Sequence, residues 1–127
     1  MGLSTEDRLD IQDLYARYNH AIDSGNGDAW AATFTPDGVF ESAQGTQTGS
    51  ESLKQFASGF ASRLKGRHWI NNLVMDEAPG GANGSCYLVL YNLGGEKPSI
   101  LATAIYNDEL TKTASGWRFA KRVVNGD

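Results

Sequence analysis

The hydrophobic period changes once along this 127-residue chain, near His68, and that change does most to limit its architecture. Before it, apolar residues recur at helical spacing; after it, they alternate. Between Glu6 and Asp23, Ile11, Leu14, Tyr15, Tyr18 and Ile22 form one helical stripe. Ser4 or Thr5 suits its N-cap, Glu6 and Asp7 suit the positive end of its dipole, and Gly25-Asn26-Gly27 stops it. Asp28 is expected to cap a short second helix through Phe34, which Pro36-Asp37-Gly38 breaks before a short strand from Val39 to Ala43. A third helix starts at Ser50, sets Leu53, Phe56, Ala57, Phe60 and Leu64 on one face, and ends near Gly66.

From His68 onward the alternation predicts strands near 68–76, 85–93, 99–111 and 117–124, with Pro79-Gly80-Gly81, Gly94-Gly95 and Ala114-Ser115-Gly116 as turns. Helices followed by a strand meander predict an α+β fold. Three N-terminal helices pack on a strongly curved antiparallel sheet, a cone-shaped barrel enclosing an apolar pocket.

One such domain accounts for residues 1–127, with 40% apolar and 20% charged residues. The net charge of −4, with Lys121-Arg122 and nearby Arg118 as the densest basic spacing, argues against nucleic acid and anionic membrane as partners. Cys86 is the only cysteine, so no intramolecular disulfide is possible; its apolar run reads as core packing. With no membrane-length apolar stretch and no signal-peptide core, the expected compartment is the cytoplasm.

The polar residues that could converge on the pocket are few. Tyr18 lies on the buried stripe of the first helix. Asp23 sits at that helix's end, where the dipole disfavours an acid. His68 opens the first long strand, and strict alternation puts Ile70, Asn72 and Val74 on its face. Alone, His68 reads as an ordinary satisfied histidine; next to Asp23 it would be an oriented base. Asn71 and Asn72 are either pocket hydrogen-bonders or strand-edge amides. Tyr87, Tyr91 and Tyr106 belong to core, cavity or an interface, and Trp117 to the core. Arg118 and Arg122 share a strand face, and His20 reads as surface. No residue cluster has metal-ligand spacing and no glycine-rich loop has the dinucleotide pattern, so neither metal nor cofactor is expected.

Six ordered segments carry a family resemblance: Ile11-Gln12-Asp13-Leu14-Tyr15 followed by Asp23; Asp28-Ala29-Trp30; Phe34-Thr35-Pro36-Asp37; His68-Trp69-Ile70-Asn71-Asn72; Tyr106-Asn107-Asp108-Glu109; and Gly116 to Arg122. With them the chain resembles the SnoaL-like group of the nuclear transport factor 2 superfamily. The branch is similar to scytalone dehydratase, bile-acid 7α-dehydratase and hexachlorocyclohexane dehydrochlorinase. The resemblance implies a dyad in which His68 removes a proton and Asp23 orients it. It implies that Arg122 is the basic residue near a leaving group. Tyr18 stands where the dehydrochlorinase has a lysine and the bile-acid enzyme a pocket tyrosine, which leans toward an oxygen leaving group or a carbonyl. Asn72 and Tyr106 complete the expected substrate-binding set. Only Val123 to Asp127 follow Arg122, where family members often carry a pocket-covering segment. That implies an open mouth or a lid from a partner subunit.

The expected function is a cofactor-independent, dehydratase-like lyase acting on a small hydrophobic cyclic molecule. An isomerase or polyketide-cyclase-like enzyme with the same base, or a non-catalytic binding or assembly module, are the alternatives. Family resemblance and the aromatic strand 85–93 imply a homo-oligomer, dimer or trimer.

Overall fold

The computed structural model describes residues 2–127. Helix α1 spans Thr5–Ser24. Ser4 caps it through a reciprocal box: its hydroxyl accepts from Asp7 N–H at 3.0 Å, and the Asp7 carboxylate accepts from Ser4 N–H at 3.2 Å. Gly25 ends α1 in the left-handed region, φ 72°. Helix α2 is shorter than expected, Gly27–Ala31, and its cap is Asn26 rather than Asp28. Asn26 accepts from Ala29 N–H, while Asp28 lies inside the first turn and pairs with Lys54 at 3.2 Å. Helix α3 spans Ser50–Arg63.

Six strands form one sheet: β1 (Phe34–Ser42), β2 (Gly45–Thr48), β3 (Gly66–Ala78), β4 (Gly81–Asn92), β5 (Ser99–Thr113) and β6 (Gly116–Gly126). Their order is β2-β1-β6-β5-β4-β3. Three helices packed on this curved sheet give the α+β fold expected, with two corrections. The sheet is mixed, because β1 runs parallel to β6, and it does not close into a barrel. Turn residues identify hairpin neighbours, but β1 meets β6 only through a long crossover, whose direction no local signal records. Phe34 joins β1 rather than α2, and Pro36-Asp37-Gly38 bulges out of that strand, between the Phe34–Phe119 and Val39–Lys121 pairs, instead of ending it.

The core lies between the helices and the inner sheet face. Trp30, Phe34, Phe40, Tyr18, Tyr106 and Phe119 are all buried in it, with Ile11, Ile22 and Leu53 from the helices. Trp117 is core, as expected. A second bulge decides what β3 presents. Asn71 pairs with Tyr87 but Val74 with Ser85, so β3 carries one extra residue, and Asn72 takes φ 55° there. Strict alternation therefore fails: Met75 is buried, while Val74 and Asn72 are exposed.

Candidate functional site

Asp23 and His68 meet where the C-terminal end of α1 faces the start of edge strand β3. Asp23 Oδ1 lies 2.6 Å from His68 Nδ1, and both carboxylate oxygens lie 3.2 Å from the main-chain N–H of His68. The last turn of α1 holds no basic residue, so donors from β3 balance an acid that the helix dipole disfavours. Both side chains are largely buried, 13% exposed for Asp23 and 7% for His68. Phe60 of α3 packs on the imidazole with ring centroids 5.6 Å apart. The Arg67 guanidinium stands 3.9 Å from the other Asp23 oxygen, beyond hydrogen-bond reach, and is half exposed.

This pair lines an open cleft of about 860 Å³ between α1 and β3. Tyr15, Asn19 and Asp23, spaced four apart, form its helix wall, and Ile70 and Leu73 give apolar surface opposite. The wall also holds Gln12 and His20, so the histidine read as plain surface is exposed but borders the cleft. Asn19, Gln12, Arg67 and Trp69 were not singled out from the sequence. Asn19 and His20 were legible in principle, since they lie four and three residues before Asp23 and thus share its side of the helix.

Tyr18, Tyr106 and Arg122 come together elsewhere, which corrects their expected place on the walls. None of them lines the cleft. Arg122 is wholly buried and paired across strands with Asp108: Nε donates to Oδ1 at 2.8 Å and Nη2 to Oδ2 at 2.9 Å. Tyr15 donates its hydroxyl to the same carboxylate. The guanidinium lies over Tyr106 at 3.5 Å, Tyr18 at 4.4 Å and Tyr15 at 4.8 Å from ring centroids. Burial disfavours the Arg122 charge, but Asp108, Tyr18 and Tyr106 outweigh it and hold its pKa well above the usual value. Burial likewise raises both Tyr18 and Tyr106, against the pull of Arg122, so both hydroxyls stay neutral. Cys86 is packed beside the guanidinium, and burial pushes its thiol up to about 11. The sequence put Arg122 and Asp108 on separate strands; only the β5–β6 register makes them neighbours. Asn72, exposed at its bulge, does not line the cleft either.

Among the described residues no three His, Cys, Asp or Glu side chains cluster as metal ligands, and no helix is long and apolar enough to cross a membrane.

The fold is NTF2-like, and it sets a carboxylate-bound histidine in a part-apolar cleft. The chain belongs to the SnoaL-like domain family, whose match spans residues 4–123. It is similar to Rv3472, a function unknown protein from Mycobacterium tuberculosis: 33% identity over 94% of this chain and 70% of that one, TM-score 0.89. It also resembles a Nostoc punctiforme protein of unknown function with a cystatin-like fold, at 26% identity over 100% and 96% of the chains, TM-score 0.90. A third similar structure, from Catenulispora acidiphila, is a complex with S-DNPA: 25% identity, 98% and 96% coverage, TM-score 0.87.

Proposed function

We propose that this protein is a cofactor-independent lyase, dehydratase-like, that takes a proton from a small hydrophobic cyclic substrate in the α1–β3 cleft. The observation that carries the reading is the 2.6 Å contact between Asp23 and His68 Nδ1. An ionised carboxylate only accepts, so Nδ1 carries the proton and the lone pair of Nε2 is left to act as base. His68 removes a proton beside a carbonyl; the C–H electrons form an enolate and then a C=C bond as the neighbouring C–O bond breaks. The imidazolium returns its proton to the departing hydroxide, and the net product is water. The S-DNPA complex of the Catenulispora neighbour supports a small-molecule occupant for this fold.

A second reading has its own support. Tyr18 and Arg122, the groups expected to assist a leaving oxygen, are outside the cleft lining, which favours isomerisation. In that reaction His68 gives the proton back to another carbon and nothing leaves.

The test is exchange of the α-protons of 1-tetralone in D₂O, followed by NMR. Wild type accelerates exchange, and His68→Ala loses roughly 10²–10⁴ of that acceleration. Equal exchange by the two would move the reading to a non-catalytic binding module. The products from hydroxylated ketones then separate elimination from isomerisation.

This reading also includes a homo-oligomer joined through the outer face of the sheet, where Trp69, Tyr87 and Ile100 are exposed. It places the protein in the cytoplasm, on the strength of the single free, buried cysteine.

A further inference from the structure

An enolate formed in the cleft carries its charge on oxygen, and Tyr18, Tyr106 and Arg122, buried outside the cleft lining, do not meet it. The free edge of β3 offers a donor instead. β3 is the last strand of the sheet, paired on one side with β4. Just before it, the Lys65 C=O accepts from Leu93 N–H at 2.8 Å. From Gly66 to Asn71 the register with β4 is unbroken. Odd-numbered residues there therefore bond to β4, and even-numbered ones turn N–H and C=O away from it. His68 obeys this rule: its N–H donates to the Asp23 carboxylate at 3.2 Å instead of to β4. Ile70 is next in that outward row, about 7 Å further along the strand. It lines the cleft, and among the described residues nothing accepts from its N–H. The edge that already holds one carboxylate thus presents a second N–H, without a partner, to the space between α1 and β3.

We infer that the main-chain N–H of Ile70 is the oxyanion donor of this site, bonded to the carbonyl oxygen of the substrate beside His68. His68 Nε2 takes the α-proton, the C–H electron pair becomes the enolate C=C bond, and the carbonyl π pair moves onto oxygen. Ile70 keeps its proton and donates a hydrogen bond that strengthens as that charge grows. Of the side-chain donors lining the cleft, Gln12, His20, Ser24, Arg67 and Trp69 are exposed and shared with water. A main-chain N–H held in a strand is aimed before the charge forms and needs no reordering. The inference rests on the cleft being a small-molecule site, but a carbonyl oxygen bound at Ile70 does not need His68 to be the base.

The experiment follows the Ile70 amide by ¹⁵N–¹H NMR as 1-tetralone is added, and measures α-proton exchange of the same ketone by wild type and two variants. In wild type the Ile70 amide proton moves downfield, while the Trp69 and Asn71 amides, bonded to β4, move less. Ile70→Val keeps the N–H and exchanges as wild type does. Ile70→Pro deletes the donor at a position where an edge strand tolerates proline. It loses roughly 10²–10³ of the acceleration, with the ¹⁵N shifts of the His68 ring unchanged. Those ring shifts separate a lost donor from a displaced histidine. If the proline variant is unfolded or its His68 shifts change, the wild-type titration decides. An Ile70 amide that the ketone leaves in place, or a proline variant as fast as wild type, overturns the donor and leaves His68 as base. A downfield amide without accelerated exchange overturns the base and keeps the donor; neither response overturns both.

Discussion

Asp23 grips His68 at two points, the main-chain N–H and the ring Nδ1, so one carboxylate holds both the backbone of β3 two residues past its start and the turn of the imidazole. Asn at position 23 keeps the shape and one acceptor but no longer demands a proton on Nδ1. Asp23→Asn is expected to slow α-proton exchange of 1-tetralone by roughly 10²–10⁴, with little change in melting temperature. The ¹⁵N shifts of the His68 ring report the tautomer directly, and an unchanged tautomer with unchanged rate would remove Asp23 from the mechanism.

The Arg122–Asp108 pair makes a prediction about stability. Both side chains have no exposed surface. Removing one partner strands the other's charge, so Arg122→Met is expected to cost about 3–5 kcal/mol in urea unfolding. The double variant Arg122→Met/Asp108→Leu recovers most of that loss, because no charge is left buried.

Gly84 is held small by Tyr15. A Cβ on Gly84 would stand 2.2 Å from the Tyr15 hydroxyl oxygen. Gly84→Ala is expected to destabilise by roughly 1–3 kcal/mol. Tyr15→Phe removes the clashing atom, so the two changes together should cost less than their sum in a double-mutant cycle.

Acid sensitivity follows from Asp7. Bonds from Lys112 and Trp117, then Ser4, hold its carboxyl far below the usual carboxylate range. A depressed pKa gives stability that is complete above the unfolded value, near pH 4, and fades as pH falls below it. Asp7→Asn is therefore expected to lower the melting temperature at pH 7 and to match wild type increasingly well as the pH drops toward 2.

The outer sheet face carries the oligomer prediction. Trp69 and Tyr91 rings meet there at 4.9 Å, with Tyr87, Val74 and Ile100 exposed around them. Light scattering is expected to give a dimer or trimer of the 13.7 kDa chain, and Tyr87→Arg a monomer. A monomeric wild type at micromolar concentration would discard this face as an interface.

Much of this molecule was legible before any coordinates. Ser4, Gly25 and the glycine turns carry local backbone chemistry, so they announce element ends directly, and the switch of period at His68 separates helices from sheet. Asp23 and His68 each stand out in the sequence, but their pairing rests on family resemblance, since 45 residues separate them. Arg122 shows the limit. A basic residue on an inward strand face reads the same whether it meets a substrate or an Asp108, and the answer lies in strand register. The parallel β1–β6 pairing and the short strand β2 were hidden for a related reason: neither leaves a mark in local composition.

Asn72 bears on how this chain can change length. As the extra residue of its bulge, it is the place in β3 where one residue can be lost without turning the strand inside out: His68 and Ile70 before it, and Leu73 and Met75 after it, would keep their facing, and His68, Ile70 and Met75 their β4 partners. A deletion at Trp69 or Val74 would reverse part of the strand. Relatives one residue shorter at the bulge are thus expected to keep the core but to hold the His68 end of the strand at a different angle to α1, reshaping the cleft through an indel rather than a substitution.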